Sequence, residues 1–151
     1  LMRVTIQRVL EASVKVEGEI IGEIKKGLLI FLGIEDADSF QDIEWLTSKI
    51  SKLRIFPDDK AAMNQSALDI DAEFLVVSQF TLFATTQKGN RPSFIRSGNP
   101  KFAQKMCADF VNELSKKTRK VAQTGKFGAD MQVALINDGP VTINIDSKSR
   151  G

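Results

Sequence analysis

Apolar and polar positions alternate from the start of the chain. Val4 and Ile6 are spaced by two ahead of Arg8 and Val9, which predicts a half-buried strand over residues 2–9. Two more strands are expected at 12–17 and 19–24, with Glu17-Gly18-Glu19 as their hairpin turn. The run GLLIFLGI (27–34) is apolar on both faces and reads as a central, doubly covered strand. The period then changes. Asp38 followed by Gln41 resembles a capping box, and Ile43, Leu46, Ile50 and Leu53 form a helical stripe with Trp45 at its edge. LRIF (53–56) reads as a short strand and Pro57-Asp58-Asp59 as a turn, while EFLVVSQFTLFA (73–84) is the strongest strand signal in the chain.

Residues 85–99 form a long polar loop of the kind that is usually functional or mobile. Asn99-Pro100 supplies an N-cap and an N1 proline for a second helix, striped by Phe102, Met106, Phe110 and Leu114. SKKTRK (115–120) closes that helix with the positive charge its dipole favours. Strands are expected near 120–124, 131–137 and 141–146, the last two joined through Asn137-Asp138-Gly139-Pro140, ordinary turn chemistry. The pattern predicts one α+β domain with a mainly antiparallel sheet and two principal helices.

Composition narrows the chemistry. The 151 residues suffice for one self-supporting core. No apolar run approaches the ~20 residues of a membrane span, and no signal-peptide pattern opens the chain. Leu1 reads as a remnant ahead of a natural start at Met2. A single cysteine, Cys107, excludes an internal disulfide and fits a reducing compartment, so a cytoplasmic location is expected. The chain has no histidine, which removes Ser-His-Asp and Cys-His catalysis and makes a zinc site improbable. Neither a metal nor a cofactor is expected. Asp36, Asp38, Asp58, Asp59, Asp69 and Asp71 read as loop or cap residues. Net charge is only +2, too weak to mark a general nucleic-acid binder.

The candidate chemistry gathers where the strongest strand meets the loop. Ser78, Gln79 and Thr81 stand at that strand end, where backbone N–H groups could take a developing oxyanion. Thr81 has no base nearby, so a covalent acyl-threonine is not expected. Lys88, Arg91, Arg96, Lys101 and Lys105 crowd the loop and the following helix. On charge alone these read as a solvated surface of mixed sign; Phe83 and Phe94 flanking the same loop add the alternative of a site for a single-stranded nucleotide end. Arg8 interrupts an apolar strand and is expected at an edge with its head in water. Cys107 is expected in the core, not as a reactive thiol.

SQFTLFA (78–84), GNRPSF (89–94) and NDGPVT (137–142), in that order and spacing, resemble the D-aminoacyl-tRNA deacylase family. The likeness runs from Met2 to Asp146 and includes MRVTIQRV and GLLIFLGI, although IRSGNPK (95–101) departs from the family's more acidic, alanine-rich version. The resemblance implies a single domain over 2–151 with a barrel-like core, acting as a homodimer. It implies hydrolysis of the ester between a D-amino acid and the tRNA 3′ adenosine, with glycyl-tRNA as a further possible substrate. It implies catalytic roles for Ser78, Gln79, Phe80 and Thr81. It also implies that Gly139 and Pro140, as a Gly-cis-Pro motif held by Arg8, enter the partner's active site and exclude L-amino acids. Asn137 joins this substrate-binding set. Two other readings use the same residues: a module that binds RNA ends or a protein without catalysis, and a structural dimer in which Gly139-Pro140 is only a turn.

Overall fold

Where the alternation predicts two strands, one long strand, β1 (Arg3–Val16), runs through in a computed structural model that describes residues 2–150. Leu1, read as a remnant, and Gly151, the last residue of the expected domain, lie outside the described residues. The apparent break in β1 is a change of phase. Val4 and Ile6 face one apolar cluster, whereas Val9, Ala12 and Val14 face another. The strand turns its buried face from the helices toward the inside of a curving sheet.

β2 (Glu19–Ile24) and β3 (Gly27–Gly33) pair antiparallel with the two halves of β1, on the side opposite β8 (Gln132–Asp146), which is also antiparallel. β6 (Glu73–Ser78) adds to β3 in parallel, and β7 (Gln123–Thr124) adds to β6 in parallel. β7 comes back against β2 at Gly22, where an added Cβ would sit 2.7 Å from the Thr124 carbonyl oxygen. That close approach nearly closes the sheet into a barrel. β3 is buried along almost its whole length, as its two-sided apolar run requires.

Helices α1 (Phe40–Lys52) and α3 (Pro100–Thr118) cover one face. Ile43, Leu46 and Ile50 from α1 meet Met106, Phe110 and Leu114 from α3 over Val4, Ile6, Leu28 and Ile30. The expected cap moves by one residue: Ser39 is the N-cap, and Asp42 accepts its backbone N–H at 2.8 Å. Asp38 instead accepts the Glu35 N–H at 2.7 Å. Two small elements, β5 (Met63–Gln65) and the one-turn helix α2 (Ala67–Ile70), fall where no periodic signal exists. The strand expected at 53–56 is reduced to β4 (Phe56–Pro57), paired with β5.

Two expected boundaries shift in ways that shape the site. The apolar run 73–84 is a strand only to Ser78; Phe80–Phe83 then forms a 3-10 turn. The turn drives Phe83 into the core, and an added Cβ on Gly33 would lie 3.0 Å from its ring. Residues 131–146 are not a hairpin. β8 continues past Gly139-Pro140, pairing Asn137 with Val9 and Thr142 with Gln7, so residues 138–141 stand opposite Arg8 alone as a wide bulge.

Candidate functional site

At the end of β6, Ser78, Gln79 and Phe80 open onto a cavity of about 590 Å³ between α3 and the segment before β8. Leu32, Val77, Phe127, Met131 and Val133 give it apolar walls. Gln79 is fixed from both sides: its backbone N–H donates to the Leu32 carbonyl at 2.8 Å, and its Nε2 donates to Thr81 Oγ1. Thr81 itself is exposed and does not line the cavity. Phe80 is 56% exposed although it follows a buried strand, and it meets Phe94 edge-on with ring centroids 5.0 Å apart. A hydrogen bond from Ser97 Oγ to the Phe80 carbonyl, 3.1 Å, ties the loop to this aromatic lip. The loop is closed at its base by paired Thr85 and Ser93, whose backbones exchange bonds of 2.8 and 2.9 Å.

The basic crowd separates into two groups. Arg96 lies 3.0 Å from Glu35 and stacks over Phe83, and Lys105 pairs with Asp109 at 2.9 Å. Lys88, Arg91 and Lys101 are exposed and make no side-chain ion pair among the described residues. Cys107 lines the cavity from α3, and burial pushes its thiol up to about 12, so it stays protonated. Among the described residues, no three His, Cys, Asp or Glu side chains gather as a metal site. No helix there is long and apolar enough to cross a membrane.

Gly139 and Pro140 do not line this cavity. They form the exposed crest of the β8 bulge, joined by a cis peptide bond, with Gly139 at φ +149°. Arg8, expected at an edge with its head in water, is instead buried beneath the bulge. Its Nε donates to the Asp138 carbonyl at 2.8 Å and its Nη1 to the Ile55 carbonyl at 2.6 Å. Asn137 closes the bulge's neck: its Oδ1 accepts the Val141 N–H at 2.7 Å, and its Nδ2 donates to the Val141 carbonyl at 3.2 Å. The side-chain amide thus replaces a missing ladder partner. The structure therefore brings Ser78, Gln79 and Phe80 together at one cavity and Arg8, Asn137, Gly139 and Pro140 together at another place. Sequence reasoning missed Phe127, Met131 and Val133 as wall residues, because only the barrel's closure brings them to β6.

This arrangement has close relatives. A family model described as D-Tyr-tRNA(Tyr) deacylase matches residues 5–146. A D-aminoacyl-tRNA deacylase of Flavobacterium johnsoniae is 58% identical, covering 99% of each chain. Another, from Porphyromonas gingivalis, is 56% identical with the same coverage. A solved structure described as c-Myc DNA Unwinding Element Binding Protein is 40% identical, with a TM-score of 0.90, covering 95% of this chain and 97% of that one. A probable eukaryotic D-amino acid tRNA deacylase shares the fold at a TM-score of 0.81 with 13% identity, over 95% of this chain and 99% of that one. Matched along nearly its whole length by both the family model and these relatives, the chain belongs to the D-aminoacyl-tRNA deacylase family.

Proposed function

We propose that this protein hydrolyses the ester between a D-amino acid and the 3′ adenosine of tRNA, with glycyl-tRNA as a second substrate. The observation that carries this reading is the polar strand end Ser78-Gln79-Phe80 set at the mouth of an apolar cavity roomy enough for an aminoacylated nucleoside. The exposed Phe80–Phe94 pair offers that nucleoside an aromatic surface.

An aminoacyl ester is already activated, so positioning and charge stabilisation can replace a protein base. Water adds to the ester carbonyl carbon, and the oxyanion is taken by N–H groups at the start of the 3-10 turn, Phe80 and Thr81, which the turn itself leaves unused. The bond to the ribose oxygen then breaks, and the proton lost by the water passes to that oxygen, aided by the substrate's neighbouring hydroxyl. Gln79, held by Thr81, orients the water or the carbonyl. Ser78 lines the same wall.

The Gly139-Pro140 crest is exposed and lines no part of its own chain's cavity, which supports a homodimer in which each crest enters the other subunit's site. There its backbone carbonyls would accept the substrate's α-ammonium and occupy the space of an L side chain. A D side chain would point out to solvent. Discrimination by backbone tolerates any side chain of the right hand, and glycine has nothing to clash. Acting on tRNA, the protein would work in the cytoplasm. The test is turnover: catalytic amounts of protein with D-tyrosyl-tRNA and L-tyrosyl-tRNA should release D-tyrosine alone. Binding without release, or equal release of both, defeats the reading.

A further inference from the structure

A second cavity, of about 310 Å³, adjoins the first, and Ser78, Cys107 and Phe127 line both. Val76 and Val111 give it an apolar floor, and Gln104, Asn112 and Thr124 stand on its walls. None of these three side chains makes a hydrogen bond among the described residues. A single exposed amide simply faces water. Three unused polar groups around one apolar hollow that opens onto a nucleoside-sized site form a recognition edge. Lys126, also exposed and without an ion pair among the described residues, lines neither cavity but lies in the chain between Gly125, which lines the second cavity, and Phe127, which lines both, so its long side chain starts beside their rim.

We propose that the second cavity is a subsite for the nucleotide preceding the terminal adenosine, its base read by Gln104, Asn112 and Thr124 and its linking phosphate met by Lys126. The proposal rests on the deacylase reading above. A tRNA 3′ end is single-stranded, so its bases are unpaired and their edges free for side-chain amides. An Asn or Gln amide presents a donor and an acceptor side by side, the complement of a base edge. The seam between two cavities is where a phosphodiester joining two nucleosides would pass, and one lysine suits that charge. Binding energy gathered there, remote from the ester, can be used to position the reacting carbonyl.

The test compares D-aminoacyl esters of adenosine alone and of a cytidine-adenosine dinucleotide. The wild-type protein should hydrolyse the dinucleotide ester with kcat/KM about tenfold or more above the adenosine ester. The Gln104→Ala/Asn112→Ala variant should lose most of that gain and keep the wild-type rate on the adenosine ester. Both positions are exposed on α3, and alanine is a good helix former, so the fold should survive, as thermal melts will show. Lys126→Ala should lose the salt-sensitive part of the gain. An equal gain in wild type and double variant, or no gain in the wild type, overturns the subsite. A wild-type protein that hydrolyses neither ester nor D-tyrosyl-tRNA overturns the deacylase reading, and the subsite with it.

Discussion

Arg8 holds Asp138 from beneath: its Nε reaches the Asp138 carbonyl at 2.8 Å and lies 3.6 Å from the Asp138 carboxylate. The same guanidinium donates to the Ile55 carbonyl at 2.6 Å, so one buried fork joins the centre of β1, the segment between α1 and β4, and the β8 bulge. Lysine cannot reproduce this, because a point charge on a flexible stem does not span two fixed carbonyls. Arg8→Ala leaves both carbonyls without their donor and should cost about 2–4 kcal/mol of stability. Arg8→Lys should fold better than the alanine variant yet lose deacylation, since the crest is no longer fixed. Denaturant unfolding beside D-tyrosyl-tRNA turnover checks both. Wild-type activity in Arg8→Lys would show that the crest needs no anchor.

The same arginine shows what the sequence reveals and what it hides. Periodicity placed α1, α3 and the buried β3 correctly, because those signals repeat within one element. It could not reveal that Arg8 is buried, since the carbonyls that satisfy it come from residues 47 and 130 positions away. Nor could it separate a hairpin from a bulge at Gly139-Pro140. Turn-forming residues occur in both, and only the pairing of β8 with β1 on either side decides. The strand end at Ser78 was blurred for a similar reason. Leu82 and Phe83 extend the apolar run but belong to a turn whose burial under Gly33 is a tertiary fact. The motif residues themselves were legible, because their identities carry the resemblance.

Gln79 and Thr81 should behave unequally on substitution. Thr81 is exposed, has no base beside it, and uses its hydroxyl to accept from Gln79 Nε2. Thr81→Ala should therefore keep deacylation within about tenfold of wild type, since the backbone N–H survives. Gln79→Ala should fall further, by about a hundredfold in kcat, with its folding unchanged. Mass spectrometry of the enzyme quenched during turnover should find no acyl group on Thr81. A trapped acyl-threonine would replace the direct water mechanism.

Acid should weaken the fold through Asp42. Burial alone would raise this carboxyl, but the Ser147 hydroxyl at 2.6 Å, the Ser39 amide at 2.8 Å and nearby Lys148 outweigh it and hold it below its usual 3.8. A folded-state value below the unfolded one means the ionised group contributes stability at neutral pH. That contribution is lost as pH falls through 3.8 toward the lowered value. Asp146 acts with the same sign; its burial is outweighed by the Lys148 and Ser149 amides and by Arg3. Asp38 opposes them, since burial raises its carboxyl and acid relieves that cost. Asp42→Asn should thus be less stable than wild type at neutral pH and lose less between about pH 5 and 3. Equilibrium unfolding at those values checks the slope, and parallel slopes for the two proteins would remove Asp42 as the sensor.

Gly139 allows a test of whose cavity the crest serves. An added Cβ there would lie 2.8 Å from Val141 Cγ2 and 2.9 Å from the Val141 nitrogen, at a φ of +149° that side chains rarely accept. Gly139→Ala must therefore displace the crest. The residue is exposed, so overall stability should change little while deacylation falls about a hundredfold or more. Gln79→Ala damages the cavity instead. If the crest enters the partner's cavity, a heterodimer of these two variants contains one wholly wild-type site, built from Gln79 of the first chain and Gly139 of the second. Unfolding the two variants together at equal amounts and refolding them should then restore about a quarter of wild-type activity, because half the dimers are mixed and each has one intact site of two. Either variant refolded alone should stay inactive. If the crest serves its own chain, every site in the mixture carries a defect and activity stays at the level of the separate variants. That result would sink the crossed arrangement while leaving the chemistry at Gln79 untouched.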